Sequence, residues 1–373
     1  MIPGLFVAEH EFEVPLDHGA PGETITVFAR EVADPDGRER PWLVYLQGGP
    51  GFESPRPTGT PRGPGWLDRA LKDFRVLLLD QRGTGRSTPA GGDESAEYLI
   101  HFRADSIVRD CEVIREALGS GPWSVLGQSY GGITLLTYLS FAPEGLREAF
   151  ITGGVPGIGV HVDDIFSATW ERVRERSRRY YERYPEDRER MLALPDRFRS
   201  LGNWLGMSDG FERVHHVLEL PPDSPAFKAD ARDPLGLERN PIYGLLHEAC
   251  WADGFATNWS AQRVRPEMPP EYFTAEHILP SMFEGARRAT ADALAAHEWP
   301  RLFDEAVLRA NEVPVAATIY TEDLYVERRF AEQTAEMVPR MRAWITSEYD
   351  HNGLRVDGER ILDRLIDLAR GRA

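Results

Sequence analysis

Apolar and polar positions along the 373-residue chain fall into two regimes. In the first 156 residues and again after residue 305, short compact apolar runs alternate with helical spacing. Residues 12–16 and 25–30 read as two strands joined through a turn rich in glycine and proline. Residues 42–47, 75–80 and 123–126 are continuous apolar runs of strand length, and each breaks into a glycine-containing loop at its carboxyl end. Between the last two, Ile107, Val108, Cys111, Ile114, Ala117 and Leu118 repeat at helical spacing. Strands buried on both faces and alternating with amphipathic helices predict a mostly parallel sheet built from βαβ units. The pattern returns with a strand over 313–320, a helix over 326–337, a strand over 341–346 and a closing helix over 357–371.

From 157 to 305 the strand runs disappear. The segment becomes charged and aromatic, with a helix expected over 169–184 and proline breaks at Pro221-Pro222, 266–270 and Pro300. The expected organisation is one α/β domain made of residues 1–156 and 306–373, interrupted by a helical cap over 157–305. No internal repeat or low-complexity tract changes that picture.

Composition narrows the function classes. The formal net charge is -17, which argues against nucleic acid and anionic membrane surfaces as partners. Two cysteines, Cys111 and Cys250, are too few for a disulfide framework. The first fifteen residues carry Glu9, Glu11 and Glu13 and no basic stretch, unlike a signal peptide. No apolar run reaches bilayer-spanning length. A soluble cytoplasmic protein is expected.

The candidate chemistry lies at the carboxyl ends of the strands, where open α/β sheets place their active sites. Gly127-Gln128-Ser129-Tyr130-Gly131 follows the run 123–126 and precedes a helix expected over 133–141. This is the G-x-S-x-G elbow of α/β-hydrolases in its strand–turn–helix context. The glycines leave room for a strained turn that pushes the Ser129 hydroxyl above the sheet. A serine hydroxyl needs a base held by a third group. The chain order Ser, acid, His selects Asp323 after the strand 313–320 and His351 after the strand 341–346; Glu322 and Asp350 are the acid's rivals. The Tyr130 N–H at the helix start and the Gly49 N–H in Gly48-Gly49-Pro50-Gly51 are the expected oxyanion donors.

Several motifs together resemble the proline iminopeptidase family of serine peptidases. Leu46-Gln47-Gly48-Gly49-Pro50-Gly51 is similar to the family's HGGPG segment, with Gln47 standing at the histidine. Residues 79–87 (LDQRGTGRS) resemble its DQRG-x-G-x-S loop, and 127–132 (GQSYGG) its elbow. FEVPLDH at 12–18 and EYDHNGL at 348–354 also fit. The resemblance implies an α/β-hydrolase fold and release of an N-terminal residue, preferably proline, from a small peptide or aminoacyl substrate without metal or organic cofactor. It further implies that the cap holds the substrate's free amine through Glu248 and Glu276, in segments LHEA and FTAE. An esterase, an amidase or a broader aminopeptidase on the same scaffold is the alternative. The apolar pocket for the N-terminal residue is left open, since core packing explains Trp251, Trp259 and Phe283 equally well, and the oligomeric state is not legible.

Overall fold

The computed structural model describes residues 2–20 and 22–373. Eight strands form one sheet: β1 (Phe6–Pro15), β2 (Thr24–Ala33), β3 (Trp42–Leu46), β4 (Arg75–Asp80), β5 (Trp123–Gln128), β6 (Leu146–Thr152), β7 (Val315–Tyr320) and β8 (Met341–Thr346). Their spatial order is β1-β2-β4-β3-β5-β6-β7-β8. The hairpin β1–β2 pairs antiparallel, as does β2 with β4, and every later pairing is parallel. The mostly parallel sheet expected from the alternating pattern is the one observed.

The central strands are buried on both faces, so alternate residues feed two cores. Along β3, Val44 and Leu46 join a cluster on one side, while Leu43 and Tyr45 join a second cluster on the other. The second is closed by the C-terminal helix Gly358–Ala369, whose Ile361, Leu362, Leu365 and Ile366 are fully buried. The first receives helices α1 (Ala104–Ala117) and α2 (Tyr130–Phe141).

β6 is absent from the sequence expectation, and its composition explains why. Arg147 and Glu148 interrupt the apolar run, and Glu148 is buried only because Arg370 and the Ser124 hydroxyl occupy its carboxylate, at 2.7 Å and 3.3 Å. Among the described residues, the chain between β6 and β7 adds no strand to the sheet. It holds helix α3 (Val162–Arg183), which begins seven residues before its predicted start, a 3-10 stretch (Asp196–Gly206), and helices α4 (Gly210–Glu219), α5 (Pro241–Leu246) and α6 (Gly285–Ala296). Its apolar residues, Trp170, Leu201 and Phe273 among them, belong to the same cluster as one face of the sheet. The helical segment therefore packs onto the sheet without a core of its own. Among the described residues, no helix is long and apolar enough to cross a membrane.

Candidate active site

Ser129 links β5 to α2 with φ 54° and ψ −120°. This is sparsely populated backbone for a residue with a side chain, and it costs on the order of 1–3 kcal/mol. The surroundings enforce it. The Ser129 N–H donates to the Thr152 carbonyl at 2.9 Å, tying the turn to the end of β6, and the Ser129 carbonyl accepts from the Gly132 N–H at 2.7 Å. Gly131 fits because a Cβ there would lie 2.0 Å from the Leu46 carbonyl oxygen. The elbow is thereby pressed against the end of β3, which brings the next loop beside it. A Cβ on Gly48 would lie 3.0 Å from that of Ser129. Among the described residues, neither the Gly49 N–H nor the Tyr130 N–H has a hydrogen-bond acceptor.

The other two residues come from the loops after β7 and β8. His351 Nδ1 lies 2.8 Å from Asp323 Oδ2, and His351 Nε2 lies 2.9 Å from Ser129 Oγ. A carboxylate only accepts, so Nδ1 carries the proton and Nε2 is left to accept from the serine hydroxyl. The second Asp323 oxygen accepts the Tyr325 and Val326 N–H groups at 2.9 Å and 3.1 Å, which fixes the carboxylate. The His351 N–H donates to the Gly206 carbonyl at 3.1 Å, so the helical segment helps seat the imidazole. The rival acids are engaged elsewhere. Glu322 pairs with Arg179 at 2.8 Å, and Asp350 pairs with Arg176. Burial raises the Asp350 carboxyl above its ordinary range, and Arg176 opposes that rise.

The motif 79–87 supports the site without entering it. The Arg82 guanidinium, 1% exposed, bonds Asp110 and the carbonyls of Pro15, Leu16 and His101. Asp80 accepts the Ser54 and Arg86 N–H groups. Gln81 Nε2 donates to the Gln47 carbonyl at 3.0 Å, pinning the loop that carries Gly48 and Gly49. The Gln47 amide oxygen accepts from the Tyr45 hydroxyl at 2.7 Å.

Ser129 and His351 open onto a cavity of about 500 Å³ between the sheet edge and the helical segment. Its apolar walls include Phe52, Trp204, Met207, Leu235, Tyr243 and Tyr325. None of these was singled out from sequence, although Phe52 follows the Gly-Pro-Gly turn and Tyr325 lies two residues past Asp323. Adjacency to the motifs was the available signal. Trp251, Trp259 and Phe283 do not line this cavity.

The two expected amine-binding glutamates part company. Glu276 lines the cavity, with its Oε2 3.4 Å from the Tyr243 hydroxyl and 3.5 Å from His247 Nε2. Glu248 does not. Its carboxylate oxygens accept the N–H groups of Ser260 and Ala261 at 3.1 Å and 2.9 Å, so it caps the short helix Ser260–Arg263 from inside the fold. Burial raises its carboxyl above the ordinary glutamate range, and the two backbone donors offset part of that. Of the two expected glutamates only Glu276 faces the cavity, because the start of the helix Ser260–Arg263 occupies the carboxylate of Glu248. Two further acids line the cavity. Asp233 has both oxygens held by the N–H groups of Leu237 and Glu238, and Asp209 is exposed at the surface. The histidines beside the glutamates are packed residues: His277 stacks on Trp170 with centroids 3.8 Å apart, and burial drives it down to about 3.

Comparison with known proteins agrees with this architecture. A family model described as the alpha/beta hydrolase fold matches residues 41–233. A proline iminopeptidase of Aeromonas sobria is 43% identical, with 99% of this chain and 98% of the relative aligned. A proline iminopeptidase of Aspergillus aculeatus is 33% identical, over 98% of this chain and 94% of its own. Among solved structures, a proline iminopeptidase of Mycobacterium smegmatis superposes with a TM-score of 0.53 at 16% identity, covering 97% of this chain and 99% of that one, which is likeness of fold alone. Near full-length identity at these levels, joined to the sheet order and the elbow, gives one conclusion: the chain belongs to the proline iminopeptidase family of α/β-hydrolases.

Proposed function

We propose that this protein is a serine exopeptidase that releases an N-terminal residue, preferably proline, from peptides. The observation that carries the reading is the hydrogen-bonded series Ser129–His351–Asp323 opening onto a cavity in which Glu276 is the partly buried carboxylate not consumed by backbone donors. The names of the full-length relatives support the same activity.

In this mechanism the substrate's N-terminal ammonium pairs with Glu276, and its first side chain lies among the aromatic walls. Ser129 Oγ attacks the first carbonyl while His351 Nε2 takes the hydroxyl proton, and Asp323 stabilises the imidazolium that forms. The Gly49 and Tyr130 N–H groups receive the developing oxyanion, each contributing about 3 kcal/mol to the transition state. His351 then protonates the departing amine, the remaining peptide leaves, and water repeats the attack on the acyl-enzyme. The helical segment 157–305 acts as a cap that supplies Glu276 and closes the cavity over the serine.

The test is hydrolysis of a prolyl arylamide against its N-acetylated twin, with Ser129→Ala as control. Cleavage of the free amine alone is the expected result. Equal cleavage of both would remove the amine site and move the protein to the esterase or amidase class, and full turnover by Ser129→Ala would overturn the triad.

A further inference from the structure

A second cavity, of about 760 Å³, lies within the helical segment and is larger than the one holding Ser129. Asp233, Pro234 and Leu235 line both, so one short stretch of chain forms their common wall. The second cavity contains none of the residues assigned above to catalysis or amine binding.

Its charge is opposite in sign to that of the whole chain. The lining includes Arg197, Arg199, Lys228, Arg232 and Arg265 against Asp196, Asp233 and Glu238. Arg199 pairs with Asp196 and Arg232 with Glu238, each at 2.8 Å, and Asp233 is held by backbone donors. Among the described residues, Arg197, Lys228 and Arg265 have no carboxylate partner within ion-pair distance. In a chain of net charge -17, such a surplus facing one cavity is unusual. Arg265 is half-buried, with its guanidinium carbon 5.4 Å from the Trp170 ring centroid. Burial and the neighbouring Arg199 hold it below the ordinary arginine value, so an anion there would relieve a cost already present in the empty fold.

A second observation is independent of charge. Thr274, 4% exposed, lines the cavity, and among the described residues its hydroxyl has no hydrogen-bond partner. Apolar Phe198, Leu279 and Met282 complete the wall, which suits an organic anion.

We propose that this second cavity is a carboxylate-binding subsite, in which Arg265 and Lys228 hold the charge and the Thr274 hydroxyl donates to it. The carboxylate has two available sources: the far end of a peptide substrate, or a separate small organic acid. The first source rests on the peptidase reading above; the second does not.

The test compares wild type with Arg265→Gln and Lys228→Gln, neither of which touches the reacting atoms. KM is measured for a series of prolyl peptides of increasing length, each as the free acid and as the C-terminal amide. Binding of succinate is measured separately by calorimetry. If the source is the substrate, one length of free acid has a KM about threefold to tenfold below its amide at equal kcat, and the difference collapses in both variants. If the source is a separate acid, succinate binds wild type and binding is lost in both variants, with acid and amide alike. The proposal is overturned if acid and amide are equivalent at every length and succinate does not bind, or if either effect survives both substitutions. Turnover of a prolyl arylamide, which has no carboxylate, stays at the wild-type level in the variants. Loss of arylamide cleavage by wild type would instead count against the peptidase reading, leaving the succinate measurement to decide the subsite.

Discussion

At the carboxyl edge of the sheet, Ser129, Asp323 and His351 each follow closely on the strand that positions them: β5, β7 and β8. In the helical segment, Glu276 sits on an irregular turn and Glu248 opens a short 3-10 helix (Glu248–Trp251), and nothing in their immediate sequence says which way they face. Both regions hold a strained residue at the site. Ser129 has φ 54°, and Ala275, next to Glu276, has φ 48°. The ways of holding that strain differ. The serine is fixed by ladder geometry, through Thr152 at the end of the neighbouring strand. Ala275 is fixed by one long-range bond, the Thr274 N–H to the Arg199 carbonyl at 3.1 Å, and one local bond, His277 Nδ1 to the Thr274 carbonyl at 2.9 Å. A sheet positions chemistry by periodicity, whereas the helical segment positions it by contacts far apart in the chain.

The sharpest way to break the comparison is at the sheet edge. Ser129→Ala or His351→Ala is expected to lower kcat on a prolyl arylamide by about 10⁴–10⁶-fold, the scale on which a triad fails when either member is removed. Thermal stability of Ser129→Ala should be close to that of wild type, because among the described residues the hydroxyl makes no hydrogen bond besides the one to His351. A residual rate within tenfold of wild type would show that the triad does not carry the reaction.

The next effect lies in the helical segment and separates its two glutamates. Glu276→Gln is expected to cost about 10²-fold in kcat/KM on the free-amine arylamide, since a buried ammonium would lose its charged partner. The N-acetylated twin should be indifferent to the change. Glu248→Gln is expected to leave KM within about twofold. It should destabilise the fold by about 1–3 kcal/mol, because the two N–H groups are held by different carboxylate oxygens and the amide puts an NH2 donor against one of them. Chemical denaturation of both variants beside their kinetics decides the matter. An intact Tm with lost turnover in Glu248→Gln would restore the two-glutamate site.

That contrast also marks how far the sequence carries. The elbow and the strands other than β6 are local patterns, each visible in a window of about ten residues, and the order of serine, acid and histidine follows from which strand ends carry them. β6 escapes because the buried Glu148 breaks its apolar run, and its reason lies at Arg370, far along the chain. The direction of Glu248 escapes for a similar reason: its partners Ser260 and Ala261 lie at the start of a separate short helix. The cavity walls Trp204 and Tyr243 come from the 3-10 stretch Asp196–Gly206 and from α5, which only the folded helical segment brings to the same cavity as Phe52. In each case the missing information is a tertiary contact, with no local periodicity to announce it.

The smallest effect tests whether the packing behind Glu276 sets the stability of the helical segment. His277 is enclosed by Trp170, the Thr169 hydroxyl at 2.9 Å and the Thr274 carbonyl, and burial lowers it from 6.5 to about 3. Its folded value lies below its unfolded one, so the unfolded chain binds the extra proton between those limits. The stability contributed is therefore complete above about pH 6.5 and falls as the pH drops, by up to about 1.4 kcal/mol per pH unit. His297, also held low by burial, acts in the same sense, whereas the raised Glu248 acts in the opposite one. Subtracting the His277→Gln profile from that of wild type removes both contributions. Denaturant melts from about pH 7 to pH 5.5 should give a wild-type-minus-variant difference that shrinks as the pH falls. A flat difference would mean that His277 takes up its proton inside the fold, and that the turn carrying Glu276 opens more readily than its packing indicates.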